Sequence, residues 1–141
     1  MGEDSMRRPF DIRLVALAFA VGCGGAVATP SDGAPLTGEW NGLHASLTLT
    51  ESGGSIEYDC AHGGLRAPVE PDATGQFTVA GVHFRDHGGP VRIDEVPDST
   101  PARYIGRVQG DQLTLRVLVG QDTLGPFTLR RGGESRLTRC L

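Results

Sequence analysis

From Gly38 onward the chain alternates apolar and polar residues with a period of two. Leu43, Ala45, Leu47 and Leu49 interleave with His44, Ser46, Thr48 and Thr50, the pattern of a strand with one buried and one wet face. Ser52-Gly53-Gly54 turns the chain, and Ile56, Tyr58 and Cys60 form a second strand with Cys60 expected on the core side. Leu65, Ala67 and Val69 predict a third, placed at an edge by Pro68. Phe77, Val79, Val82 and Phe84 predict a strand that bends at Gly81, and Val91, Ile93 and Val96 a short one. Ala102, Tyr104, Gly106 and Val108, then Gly110-Asp111, then Leu113, Leu115, Val117 and Val119 spell a hairpin. Phe127 and Leu129 continue the pattern after Gly125-Pro126, and Leu137 to Leu141 carries Cys140 back to the sheet. Apolar spacing of three and four never persists, so helix is scarce. About eight short antiparallel strands must close or fold over to bury one face. The fold class is all-β, a small antiparallel meander closed as a barrel, or a sandwich.

The chain ahead of these strands reads differently. Arg7, Arg8 and Arg13 precede the apolar run Leu14 to Val21, which leads into small residues. That order is the one a secretory signal requires, and the run falls short of the roughly 20 apolar residues that span a bilayer. Met6 offers a second start with a cleaner basic leader. Two processing sites compete. Ala20-Val21-Gly22-Cys23 resembles the lipobox of bacterial lipoproteins, which implies lipidation of Cys23 and a membrane anchor. Ala26-Val27-Ala28 is an A-x-A exit that would release a secreted or periplasmic protein beginning at Thr29. Arg7-Arg8-Pro9-Phe10 partly resembles the twin-arginine export motif. Residues 24–37 are small and rich in Gly and Pro, as in a tether. The organisation is therefore a signal peptide over 1–22, a tether over 23–37 and a β domain over 38–141.

Of three cysteines, Cys23 belongs to the export segment, which leaves Cys60 and Cys140 for the domain. In an oxidising compartment an even pair is most simply a disulfide, and closing so long a loop is worth about 4 kcal/mol in the chain-entropy model. All thirteen basic residues are Arg, which excludes a Schiff-base lysine, a Walker-type lysine and a Ser/Lys dyad. A net charge of −4 with dispersed arginines gives no footprint for nucleic acid.

The histidines are the candidates for chemistry. His62, His83, Asp86 and His87, with His44 and Asp59 as further donors, are the candidate metal ligands, although the segment around His83 reads as strand running into a glycine turn and not as a zinc-binding helix. No serine sits in a G-x-S-x-G elbow. Asp94 and Glu95 are adjacent and point to opposite faces, which disfavours a shared acid/base pair. The paired glycines lack the following helix that a phosphate loop needs. Trp40 either plugs one end of a barrel or stacks on a ligand at a rim. Arg92, Arg103, Arg107 and Arg116 fall on outward positions, where they can pair across strands.

Asp59-Cys60-Ala61-His62-Gly63, His87-Gly88-Gly89-Pro90 and Pro101-Ala102-Arg103-Tyr104 resemble stretches of a family of small exported bacterial proteins that is itself uncharacterised. The resemblance covers Trp40 to Cys140 and carries no activity with it. Tyr58, Cys60 and Gly63 also fit the Tyr-x-Cys-x-x-Gly stretch of the membrane-bound C-type lysozyme inhibitors, which implies a disulfide-linked β-barrel lipoprotein and inhibition of lysozyme. The functional expectation is a non-enzymatic, lipid-anchored envelope protein that binds an envelope protein or a small ligand and needs no cofactor. The alternatives are a periplasmic metal-binding protein and an inhibitor of an envelope hydrolase such as lysozyme.

Overall fold

The computed structural model describes residues 33–140. The expected signal peptide, the expected lipidation site Cys23 and the alternative exit at Ala26-Val27-Ala28 lie outside the described residues. Eight antiparallel strands follow one another around a closed barrel: β1 (Gly38–Gly42), β2 (Ala45–Thr50), β3 (Gly53–Tyr58), β4 (Ala61–Leu65), β5 (Gln76–Arg85), β6 (Ser99–Gln109), β7 (Gln112–Val119) and β8 (Asp122–Arg131). Each pairs with the next, and β8 closes on β1 through Leu129–Gly42, Arg130–Asn41 and Arg131–Trp40. A bulge between Leu115 and Val117 bends the β7–β8 ladder, as closure of a small barrel requires. The barrel, the absence of helix among the described residues and the Cys60–Cys140 bond agree with the sequence reading.

Inward positions carry the core. Trp40, Leu47, Ile56, Tyr104, Leu113, Leu115, Val117 and Leu129 are fully buried, while outward positions on the same strands are mostly polar, Ile105 and Leu118 being exceptions. This polarity is the inverse of a membrane-spanning barrel, whose apolar band faces lipid. Trp40 is buried under the guanidinium of Arg131, 4.3 Å from the ring centroid, so it plugs the end opposite the one described below. Tyr104 donates its hydroxyl proton to the Val82 carbonyl at 2.7 Å. It fits because β4 and β5 carry glycine where it passes: a Cβ at Gly63 would lie 2.1 Å from its oxygen, and one at Gly81 2.7 Å from its ring.

Several expected elements are corrected. β1 carries one large apolar residue and gave no alternation to read. Leu43, expected in a strand, lies exposed in the β1–β2 turn beside His44, whose φ is 69°. The expected strand from Leu65 to Val69 is replaced by β4, whose inward row is Ala61, Gly63 and Leu65. Cys60 occupies the β3–β4 turn with φ 57° and not a core-facing strand position. Val91, Ile93 and Val96 lie exposed in the β5–β6 loop, because a closed barrel has no free edge for another strand. For the same reason the C-terminal segment forms only a single bridge, Leu43 with Arg136. It leaves β8, passes the β1–β2 turn through His44 N–H to Arg136 O at 2.9 Å, and ends on the disulfide, with a Cα–Cα distance of 5.1 Å. Leu36, expected in the tether, packs on the core and donates its N–H to Val69 O at 2.7 Å.

Candidate functional site

In an up-and-down meander, alternate connections gather at one end. Here the β1–β2, β3–β4, β5–β6 and β7–β8 connections form a mouth, onto which the disulfide folds the C-terminal segment. Three cavities adjoin there. The largest, about 820 Å³, lies between β3, β4 and the C-terminal segment and is lined by Glu57, His62, Asp86, His87 and Thr138. Two others share His83. The larger of these, about 490 Å³, has an apolar wall of Tyr58, Ala61, Leu124 and Phe127. The smaller, about 220 Å³, is lined by Asp98, Thr100, Val119 and Asp122. His83, Arg85 and Leu124 line both. His83 and Arg85 are two residues apart on β5, so both project inward, His83 inside the barrel and Arg85 at its rim.

Among the described residues three buried polar side-chain atoms lack a hydrogen-bond partner: Trp40 Nε1, Tyr58 Oη and His83 Nδ1. Two of the three belong to the mouth. Tyr58 packs against His83 and Phe127, with ring centroids 5.6 and 5.5 Å apart, and burial pushes its phenol far up from the usual range. Its oxygen is near Tyr104, but not in hydrogen-bond geometry. His83 is only 8% exposed. Burial lowers its pKa, helped by Arg85 and His62 and opposed by Asp86, so the ring is neutral at pH 7. Its unpartnered Nδ1 is sealed from solvent while the ring as a whole lines both cavities. Arg85 pairs with no carboxylate, and Asp98 and Asp122 pair with no cation, among the described residues.

The other histidines form separate, exposed pairs. His44 Nδ1 pairs with Asp59, whose pKa is held down first by the Thr138 backbone N–H and then by His44. His62 Nδ1 lies 2.7 Å from Asp86 Oδ1 and stacks on Phe84. His87 Nε2 pairs with Glu95, which raises the histidine pKa. Of the expected metal ligands, therefore, His62 meets Asp86 and His44 meets Asp59, each as an isolated pair, and His83 and His87 join neither. His83 is kept from them by the barrel wall, since its register partner on β4 is inward Gly63 while outward His62 faces Phe84. No three His, Cys, Asp or Glu side chains converge in a metal-holding geometry among the described residues. Arg103, Arg107 and Arg116 stand on outward positions as expected, without carboxylate partners among the described residues, whereas Arg92, expected on a strand, lies in the β5–β6 loop.

Sequence reasoning passed over Arg85, Leu124 and Phe127. The one signal available was parity, because His83 and Arg85 continue the inward row of Phe77, Val79 and Gly81. No family model, curated protein or solved structure matches the chain.

Proposed function

We propose that the protein is an exported envelope protein, anchored through lipid on Cys23, that acts as a non-enzymatic binding module and takes its ligand at the barrel mouth. The observation that carries the reading is the contrast between a barrel filled with side chains and a mouth where cavities meet the unpartnered His83. Barrel mouths are habitual sites for small ligands, and about 300–1,000 Å³ is the usual range of such pockets. Binding is favoured over catalysis because, among the described residues, no serine, threonine or cysteine is hydrogen-bonded to a histidine that would activate it.

Intact mass of the protein from its native host tests the anchor: a lipid-modified Cys23 is expected, and a chain beginning at Thr29 overturns it. A thermal-shift screen against small organic solutes tests the mouth. A solute that stabilises the wild-type protein and not Leu124→Trp, which fills the mouth, supports the reading. No stabilising solute, or equal stabilisation of both proteins, overturns it.

The β5–β6 loop favours a second reading, an inhibitor of an envelope hydrolase such as lysozyme. Val91, Ile93 and Val96 stand exposed beside the mouth, and clustered exposed aliphatics mark contact surfaces. Lysozyme activity should fall when the protein is added and recover with the triple variant V91S/I93S/V96S; unchanged lysozyme activity with the wild-type protein removes this reading.

A further inference from the structure

The mouth has a chemistry more specific than an apolar hollow. The smaller cavity is lined by groups of two kinds: the guanidinium of Arg85, the imidazole of His83 and the hydroxyl of Thr100, which can donate, and the carboxylates of Asp98 and Asp122, which accept. None of these charges is neutralised by a partner among the described residues, while Asp59 and Asp86, at the larger cavity, are already paired with His44 and His62. A ligand bearing only a carboxylate would meet two uncompensated aspartates, and one bearing only an ammonium would leave Arg85 unanswered. A molecule carrying both groups on neighbouring atoms satisfies both kinds at once. Its apolar remainder then has the adjoining cavity, walled by Tyr58, Leu124 and Phe127.

We propose that the mouth binds a small zwitterion of the α-amino-acid class with an apolar side chain, carboxylate on Arg85 and His83, ammonium on Asp98 and Asp122. The inference rests on the mouth being the binding site, and adds to it the class of ligand. His83 is the built part of the site. It is more than nine-tenths buried, lines both cavities and has no hydrogen-bond partner for its Nδ1 among the described residues. A buried histidine left without a partner is costly to the fold unless a ligand compensates for it.

The experiment is calorimetric titration of the disulfide-intact protein with L-phenylalanine and with its two half-molecules, 3-phenylpropionate and 2-phenylethylamine. L-Phenylalanine should bind, and each half-molecule at least about tenfold more weakly, the loss expected for one charge-assisted contact. Arg85→Gln should weaken L-phenylalanine about tenfold and strengthen 2-phenylethylamine, since it removes a repulsion. Asp122→Asn should weaken L-phenylalanine and strengthen 3-phenylpropionate, since it removes a repulsion. Both positions are at the rim, and an unchanged unfolding midpoint confirms that the variants fold. Equal binding of L-phenylalanine and 3-phenylpropionate, or indifference to Arg85→Gln, overturns the zwitterion and leaves the mouth as a site. Failure of all three probes overturns it too; the solute screen with Leu124→Trp then decides whether the mouth reading falls with it.

Discussion

Substituting Gly63 by alanine tests the packing logic of the barrel most directly. Gly63 faces inward on β4, and an added methyl carbon would lie 2.1 Å from Tyr104 Oη and 2.7 Å from the Val82 carbonyl oxygen. Tyr104 is fully buried and its hydroxyl is committed to that same carbonyl at 2.7 Å, so the ring has no free direction in which to yield. Overpacking of this kind costs about 1–3 kcal/mol, and displacing a buried hydrogen bond adds about 1 kcal/mol. Gly63→Ala should therefore destabilise by about 3 kcal/mol, a fall of more than about 10 °C in Tm for a domain of this size. Tyr104→Phe alone should cost about 1 kcal/mol. In the double variant the methyl group takes space that the hydroxyl has vacated, so the two costs should fall short of additivity by about 1–2 kcal/mol. Urea unfolding of the four proteins gives the cycle. Additivity within about 0.5 kcal/mol would refute the claim that the glycine is there to admit the tyrosine.

Two further outcomes follow from the same structure. Cys60 and Cys140 close a separation of 80 residues, so replacing both by serine should lower unfolding free energy by about 4 kcal/mol while the strand signature in circular dichroism persists at low temperature. A change under about 1 kcal/mol would show that the bond does not restrain the unfolded chain. His83 governs a pH response. Its folded pKa lies below the ordinary 6.5, chiefly through burial, with Arg85 and His62 lowering it further and Asp86 opposing. The unfolded chain then takes up a proton before the folded one does, so stability holds above about pH 7 and declines as pH falls through about 6.5. His87 acts in the opposite sense, but it is exposed and screened. Unfolding midpoints measured between about pH 7.5 and 5.5 should slope less in His83→Gln than in the wild-type protein, and equal slopes would refute the assignment.

The parts of the fold legible in the sequence were those where inward positions carry apolar side chains. The β6–β7 hairpin shows this best, since Ala102, Tyr104, Leu113, Leu115 and Val117 are all buried as their alternation implies. Legibility failed where a neighbour fills an inward position. β4 reads poorly because Gly63 yields its space to Tyr104, and β1 because it contributes only Trp40. The opposite error arose at Val91 and Ile93, where alternation was present but every strand edge was taken. The candidate site was harder to read. His83 was singled out by residue type, yet its isolation from His62 depends on facing the other side of one wall, and its association with Arg85, Leu124 and Phe127 depends on closure.

Closure also narrows where recognition can occur. A closed meander offers no free backbone edge, so strand addition by a partner is unavailable around the wall. The interior cannot enclose a ligand along its length, because Trp40, Tyr104, Leu113 and Leu129 fill it. The far end is covered by Arg131 lying over Trp40. What remains is the near end, where the inward rows finish in small or incompletely buried residues: Ala45, Ala61, Ala102, Leu124 and Phe127. All eight strands have one end here, and two of them, β5 and β8, bring Arg85 and Asp122 to the same cavity. The disulfide carries the C-terminus to the same rim, where Thr138 and Asp59 hold it. A covalent constraint placed at the mouth holds the β3–β4 turn in position there, and a binding site made of turns gains from such fixing, because ordering them beforehand lowers the entropy lost when a ligand arrives.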